Sequence, residues 1–281
     1  MIQLQNINFS YQKGRTIFDD LSLSLKGGHI YGLFGKNGAG KTSLLKIMTG
    51  LRFAQNGSAS TLGMRAELRQ AEMLKNVYFL QEEVFVPAIS IRNYVKCYAP
   101  FYEDFDPIQF EEYIHMFEIG SMEQKLNALS HGQKKKVIIS FALATNTKIL
   151  LMDEPTNGLD IPSKAIFREI MSLAANEERL ILISTHQVRD LHSLIDAVVI
   201  LDNGSILLNA TAEEITNKLC FRVTGENGTD EPILYCEENI RGNIVVSENI
   251  HHIDTNMDIE LLFNAVMLNK QRIHELFNNK K

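Results

Sequence analysis

The run Gly35-Lys36-Asn37-Gly38-Ala39-Gly40-Lys41-Thr42 constrains this chain more than any other stretch. The short apolar segment His29–Phe34 precedes it. Lys41–Thr49 follows it, with Leu44, Leu45, Ile47 and Met48 apolar at helical spacing. Strand, glycine loop and helix in that order are what a phosphate-binding loop requires. Glycines let successive backbone N–H groups point inward as a nest for phosphate oxygens, and the helix adds its positive end. In such a loop Lys41 reaches the β- and γ-phosphates of a nucleotide, and the Thr42 hydroxyl ligates magnesium.

The rest of the pattern fits an α/β chain built around that loop. Ile2–Phe9 alternates apolar and polar residues with a register shift, and Ile17–Leu25 alternates again before the Gly27-Gly28 turn. Val77–Leu80 is a short strand ending at Gln81. Lys148–Met152 and Leu180–Ser184 are continuous apolar runs, as buried parallel strands require. Ala197–Leu201 and Ser205–Leu208 flank Asp202-Asn203-Gly204, a hairpin signal. From Glu82 to about Thr145 the pattern turns helical and aromatic, with Pro87, Pro100 and Pro107 as breaks, and predicts an inserted helical subdomain. Near Lys218 the character changes again. Phe221–Val246 is rich in turn residues (Gly225, Asn227, Gly228, Pro232, Gly242) and Asp258–Phe277 reads as helix. The expected division is a large domain over 1–218 and a small α+β extension over 219–281.

Composition closes several alternatives. A length of 281 residues with 45% hydrophobic and 22% charged residues allows a sizeable core. The net charge of −6 disfavours a nucleic-acid partner, since phosphate contacts call for a basic face. Cys97, Cys220 and Cys236 are scattered and odd in number, which points to a reduced compartment and no structural zinc. The N-terminus lacks a basic stretch followed by an apolar run, so no signal peptide is expected. No apolar run approaches the roughly 18–20 residues needed to span a bilayer, so a membrane role is expected to come through a partner.

Two further motifs carry chemistry. Asp153 ends an apolar strand, where a carboxylate can hold magnesium through water opposite the phosphate loop. Glu154 follows it directly, placed to polarise an attacking water. Ser130-His131-Gly132-Gln133 has an ordinary reading: Ser-x-x-Gln before Val137-Ile138-Ile139 is a capping box that starts a helix. That reading coexists with a functional one, because a capped helix N-terminus is itself an anion site.

Taken in order, Tyr11, Gly35–Thr42, Gln81, Leu129-Ser130-His131-Gly132-Gln133, Asp153-Glu154, Asn157-Gly158-Leu159-Asp160 and His186 resemble the nucleotide-binding subunit of an ATP-binding cassette (ABC) transporter. The resemblance covers residues 1 to about 215. It implies the fold of an ABC-type P-loop NTPase and an ATPase using ATP and Mg2+. It also implies that two copies pair head to tail, with the Ser130 helix of one closing over the γ-phosphate held by the other. On that likeness Tyr11 matches the adenine-stacking aromatic. Residues Gly35 to Ser43 match the phosphate loop and its helix. Gln81 matches the glutamine that senses magnesium and touches the membrane partner. Ser130, Gly132 and Gln133 match the signature, and Asp160 the acid linking two active sites. Glu154, His186 and Lys41 match the catalytic set; Thr42, Gln81 and Asp153 match the metal set.

The chain departs from the family at His131, where glycine is usual. Its imidazole is expected to point aside, and a titrating side chain there would make closure pH-dependent. The run Lys134-Lys135-Lys136 reads as a solvated face, with contact to acidic partner residues or phosphate as the alternative. The detailed run from Leu129 to Lys164 resembles the exporter branch whose permeases are separate polypeptides. The expected assembly is therefore two copies with two permease subunits, in the cytoplasm and peripheral on the inner face of the cell membrane. Rival members of the superfamily include a soluble ATPase resembling the iron–sulfur assembly protein. A DNA-repair ATPase would need a long coiled coil or paired cysteines between the phosphate loop and the signature. A translation-type protein would need two cassettes.

Overall fold

The computed structural model describes residues 1–12, 14–188, 191–224, 231–239 and 242–278. In chain order, the hairpin β1 (Ile2–Gln12) and β2 (Arg15–Leu25) leads to β3 (His29–Phe34) and α1 (Lys41–Met48). Then come β4 (Asn56–Thr61), β5 (Met64–Arg65), the single turn α2 (Ala71–Leu74) and β6 (Val77–Leu80). The helices α3 (Ile91–Tyr98), α4 (Pro107–Met116) and α5 (His131–Ala144) follow. Next are β7 (Ile149–Asp153), α6 (Ile161–Ala174), β8 (Leu180–Ser184), β9 (Ala197–Asp202), β10 (Ser205–Thr211) and α7 (Ala212–Lys218). The chain ends with β11 (Leu219–Thr224), β12 (Ile233–Asn239), β13 (Gly242–Glu248), α8 (Ile259–Leu268) and α9 (Lys270–Asn278).

The central sheet has the order β10-β9-β3-β8-β7-β6. All its pairings are parallel except the β9–β10 hairpin. Its parallel strands are largely apolar because both faces are covered, and successive side chains alternate between two cores. Ile30 and Phe34, Leu150 and Met152, and Ile181 and Ile183 face the core shared with α5 and α6. Tyr31 and Leu33, Ile149 and Leu151, and Leu180 and Leu182 face α1 and the antiparallel sheet β2-β1-β4-β5. β3 is interior, so the phosphate loop leaves from the C-terminal edge of a buried strand, where parallel α/β sheets place their ligands. β8 stands between β3 and β7 and sets the spacing between that loop and Asp153.

The expected strands are present, with informative differences. β1 slips register against β2 between Leu4 and Ile7. Asn6 there is left-handed (φ 51°) and donates to Asp20 Oδ1 at 2.6 Å, with Asp20 also left-handed. β4 has no apolar alternation to announce it: its buried positions are only Ala59 and Thr61. It forms because β1 offers it a full edge.

In the helical segment, Phe141 of α5 is fully buried. Tyr78, Tyr94, Tyr102, Phe105 and Phe110 surround it at ring-centroid distances of 5.1 to 6.3 Å. Pro107 starts α4 rather than merely interrupting the chain: it follows the N-cap Asp106, where a missing N–H costs nothing.

Beyond Lys218, β11, β13 and β12 form an antiparallel sheet in that order. Leu234, Val246, Leu262, Ala265 and Ile273 join the same core as α5 and α6. Lys218 Nζ donates to the Leu276 carbonyl at 2.7 Å and Lys270 Nζ meets Asp202 Oδ2 at 2.5 Å. The helical stretch expected over 258–277 is two helices. Asn269 ends α8 and turns its Nδ2 to the Leu234 carbonyl. Gly242 opens β13 with φ 121°, whereas Gly225, Asn227 and Gly228 lie outside the described residues. Among the described residues no helix is long and apolar enough to cross a membrane.

Candidate nucleotide-binding and hydrolysis site

After Phe34 the chain turns through the phosphate loop and enters α1 at Gly40. Gly40 has φ 106°, a left-handed value, and a Cβ there would lie 2.8 Å from the Phe18 ring. Only glycine fits on both counts. Having no side chain, Gly40 leaves the first-turn N–H groups of α1 without a side-chain cap, free for an anion. Lys41 is buried, and its Nζ donates to the Gly35 carbonyl at 2.8 Å. Burial lowers its pKa, and Glu154 and Asp153 work against that shift. Thr42 Oγ1 donates to Asp153 Oδ2 at 2.6 Å, and Ala39 N–H donates to the Lys36 carbonyl within the loop.

The acidic strand meets the loop from the other side. Asp153 is buried, with Oδ1 accepting from the Ser184 hydroxyl and Oδ2 from Thr42. Glu154 is left-handed (φ 45°), an unusual state for a non-glycine residue, and its N–H donates to the Ser184 carbonyl at 3.0 Å. That backbone turns the side chain off the line of the strand. Glu154 Oε1 lies 2.8 Å from His186 Nδ1, which the carboxylate makes the protonated ring nitrogen. Glu154 Oε2 is buried and has no hydrogen-bond partner among the described residues.

A cleft of about 550 Å³ joins these groups, lined by Asn37, Gly38, Gly40, Lys41, Thr42 and Ser43 on one side and by Asp153, Glu154 and Glu82 on the other. Tyr11, Arg15 and Ile17 of the β1–β2 hairpin close its end. The Tyr11 hydroxyl hydrogen-bonds Ser43 Oγ at 2.9 Å, and the Arg52 guanidinium sits 5.6 Å from its ring centre. The hydroxyl of Thr42 and the carboxylate of Asp153 already face each other, which is the oxygen donor set a hard cation such as Mg2+ takes.

The other candidate residues lie elsewhere in the same chain. Gly35, Lys36 and His186 line a neighbouring cavity of about 620 Å³, walled by Phe263 of α8. Gln81 is exposed at the end of β6 and does not line the cleft; its neighbour Glu82 does. Ser130 and Gln133 form the complete capping box of α5, Ser130 Oγ accepting from Gln133 N–H at 3.2 Å and Gln133 Oε1 from Ser130 N–H at 3.0 Å. Asp160 caps α6, and Ser163, donating to it, holds its carboxyl below the usual range. None of Ser130, Gly132, Gln133 or Asp160 lines the cleft of its own chain.

One expectation is overturned. Lys135 is not part of a solvated face: its exposure is 0%, and its Nζ donates to the carbonyls of Glu154 (2.6 Å) and Asn157 (2.9 Å). Three consecutive lysines hide the signal, and every residue of α5 from Val137 to Ala144 is buried, so no one-sided stripe sets Lys135 apart from Lys134 and Lys136. Asn157 was visible only as part of a motif. Its side chain donates to Glu82 Oε1 at 3.0 Å and accepts from Gln187 Nε2 at 3.2 Å.

The ABC transporter family profile matches residues 18–157. The chain belongs to that family. ABC transporter ATP-binding protein NatA of Bacillus subtilis is 27% identical over 224 residues, covering 76% of this chain and 91% of NatA. Phosphonates import ATP-binding protein PhnC of Wolinella succinogenes is 25% identical over 276 residues, 86% of this chain and all of PhnC. A solved ATP-binding cassette, dimeric and in a post-hydrolysis state with ADP and Pi, superposes with a TM-score of 0.65 at 22% identity, over 75% of this chain and 98% of that one. The fold is the ABC-type nucleotide-binding domain, and the chain is an ABC ATPase, the ATP-binding subunit of a transporter. The relatives include an import protein, so membership brings the ATPase and leaves the direction of transport open.

Proposed function

We propose that this chain hydrolyses MgATP in a head-to-tail pair of copies, and that the pair drives two separate permease subunits of efflux type at the inner face of the cell membrane. The observation that carries the hydrolytic part is the Glu154 carboxylate. One oxygen is held by His186 at 2.8 Å and the other has no hydrogen-bond partner among the described residues, in a cleft shared with Lys41, Thr42 and Asp153. The likeness of residues 129–164 to the exporter branch supports efflux. Residues 219–281 are assigned to a C-terminal extension of the 1–218 domain.

The residues supply the following chemistry. Lys41 can exchange its bond to the Gly35 carbonyl for phosphate oxygens, a charge-assisted and stronger partner. Thr42 and Asp153 would hold the magnesium, which neutralises phosphate charge when bound. Glu154, fixed by His186, takes a proton from the water whose oxygen bonds to the γ-phosphorus, while the bond from that phosphorus to the β–γ bridging oxygen breaks. The products are ADP and phosphate. Tyr11 offers a ring for adenine at the end of the cleft. The Ser130-capped end of α5 would close the site from the second copy. ATP contacting both copies only when closed shifts the population towards the dimer, and hydrolysis returns it.

Glu154→Gln tests this. The substitution keeps the shape and an acceptor for His186 but removes the base. Hydrolysis should fall by about 10²–10⁴-fold, with ATP still bound. The variant should run as an ATP-dependent dimer on gel filtration. Undiminished hydrolysis, or a monomer with ATP bound, would refute the proposal.

A further inference from the structure

The loop that leaves the acidic strand is held from an unexpected side. His131 and Lys135, one turn apart on α5, both meet residues 154–158. The His131 ring lies against Gly158: a Cβ at that residue, which sits at φ 80°, would come within 3.1 Å of Cδ2. Lys135 places its ammonium between the carbonyls of Glu154 and Asn157. Both of its partners among the described residues are carbonyl oxygens rather than carboxylates.

That is a costly arrangement. A buried ammonium loses its hydration; burial lowers the Lys135 pKa to about 8, and the carboxylates of Glu82, Glu154 and Asp153, none of them hydrogen-bonded to it, offset that loss only in part. Leucine or methionine would fill the same buried place on α5 without that penalty. What they could not do is satisfy the loop. The carbonyls of Glu154 and Asn157 lie past the end of β7, beyond the reach of its ladder. Buried carbonyls there need donors from elsewhere. The need is greatest at Glu154, whose left-handed backbone persists only where its surroundings over-determine it. Its N–H is tied to Ser184, and its carbonyl accepts from Lys135 and, at 3.3 Å, from Asn157 N–H.

We propose that Lys135 is a positioning residue of the hydrolytic site: its two donations fix the backbone of Glu154 and Asn157, and so keep the Glu154 carboxylate against His186. Asn157 extends the same hold to its side-chain partners, Glu82 beyond β6 and Gln187 beyond β8. The inference rests on the reading of Glu154 as the base.

The test uses the full chain and counts active molecules by AMP-PNP titration, so that misfolded protein does not enter kcat. Lys135→Met should lower kcat by about 30-fold or more while KM and AMP-PNP affinity stay within about threefold, the split expected when only the reacting geometry is lost. Lys135→Gln, whose amide carries two N–H groups, should return kcat to within about fivefold of wild type. A Lys135→Met kcat within about twofold of wild type overturns the proposal, as does an equal loss of kcat and AMP-PNP affinity. A folded Lys135→Gln as slow as Lys135→Met also overturns it. Should Lys135→Met not fold, Lys135→Gln decides alone: near-wild-type kcat supports the proposal and a loss of about 30-fold overturns it. Wild-type protein without hydrolysis sensitive to Glu154→Gln would instead be a failure of the site reading.

Discussion

Lys135 should also make the stability of the fold depend on pH in a direction opposite to that of a salt-bridged lysine. Replace it with glutamine and follow the difference in unfolding free energy between wild type and variant. In the unfolded chain the lysine titrates at its ordinary value of 10.5; in the fold, burial lowers it to about 8. Below about pH 8 both states hold the proton, and the wild type bears the full cost of a buried charge. Between about pH 8 and 10.5 the unfolded chain keeps the proton and the native chain releases it, so the unfolded state binds more protons and stability rises with pH. The slope cannot exceed about 1.4 kcal/mol per pH unit, and the whole window is worth at most about 3 kcal/mol. Lys41 is lowered in the same sense but is present in both proteins, so it cancels from the difference. The neutral amine still carries two N–H groups, so the hold on Glu154 and Asn157 survives the loss of charge. Urea unfolding followed by far-UV circular dichroism at about pH 7.5, 8.5 and 9.5, without nucleotide, reads the effect as a midpoint shift of wild type relative to Lys135→Gln. Wild type should gain on the variant at each step. Parallel midpoints would mean that the ammonium is not desolvated as the structure places it.

Two other outcomes follow from particular contacts. Phe141→Ala empties the centre of the aromatic cluster joining α3, α4 and α5 to β6, and should cost about 3–5 kcal/mol in urea unfolding; a loss below about 1 kcal/mol would show that the cluster repacks without it. His131→Gly removes the ring that lies against Gly158, and should leave the ATPase rate within about threefold of wild type if Lys135 alone holds the loop; a loss of about tenfold or more would show that the ring contact is needed as well.

How much of this was legible in the sequence depends on what each residue had to announce. The phosphate loop, β3, β7, β8 and β9 were readable because burial on both faces of a parallel sheet leaves an uninterrupted apolar run. The capping box at Ser130 was readable because it is local chemistry. β4 was not: Asn56-Gly57-Ser58-Ala59-Ser60-Thr61 has no apolar period, and it becomes a strand because β1 has an edge to pair. Within the site, motif order located Lys41, Thr42, Asp153, Glu154 and His186, and the structure brings the Thr42–Asp153 and Glu154–His186 pairs into direct contact. It could not say that Glu82, rather than Gln81, lines the cleft, since one residue at a strand end changes which side chain turns inward. It misread Lys135 because a run of like charges is usually exposed, and α5 is buried on every side from Val137 to Ala144, so helical spacing does not mark which of the three lysines turns inward.

α5 therefore faces two ways. Its N-cap, Ser130, is exposed and spends its hydroxyl on its own helix, while Lys135, five residues on, grips the loop that carries Glu154. That loop is tied again at its far end, where Asp160 accepts from Ser163 N–H at 2.9 Å. Hydrogen bonds therefore hold the segment from Glu154 to Asp160 at both ends. On the proposed head-to-tail arrangement, the phosphate that meets the Ser130 end belongs to the second copy, yet the loop held by Lys135 belongs to the first. A continuous helix of 14 residues is about 21 Å long and yields little along its axis. A shift of its N-terminus on closure would consequently reach the base of its own chain's site through one ammonium. Lys135→Met separates these two roles, because it leaves the capped end of α5 intact while releasing the loop. A variant that still dimerises with ATP but hydrolyses slowly is the signature expected of that separation.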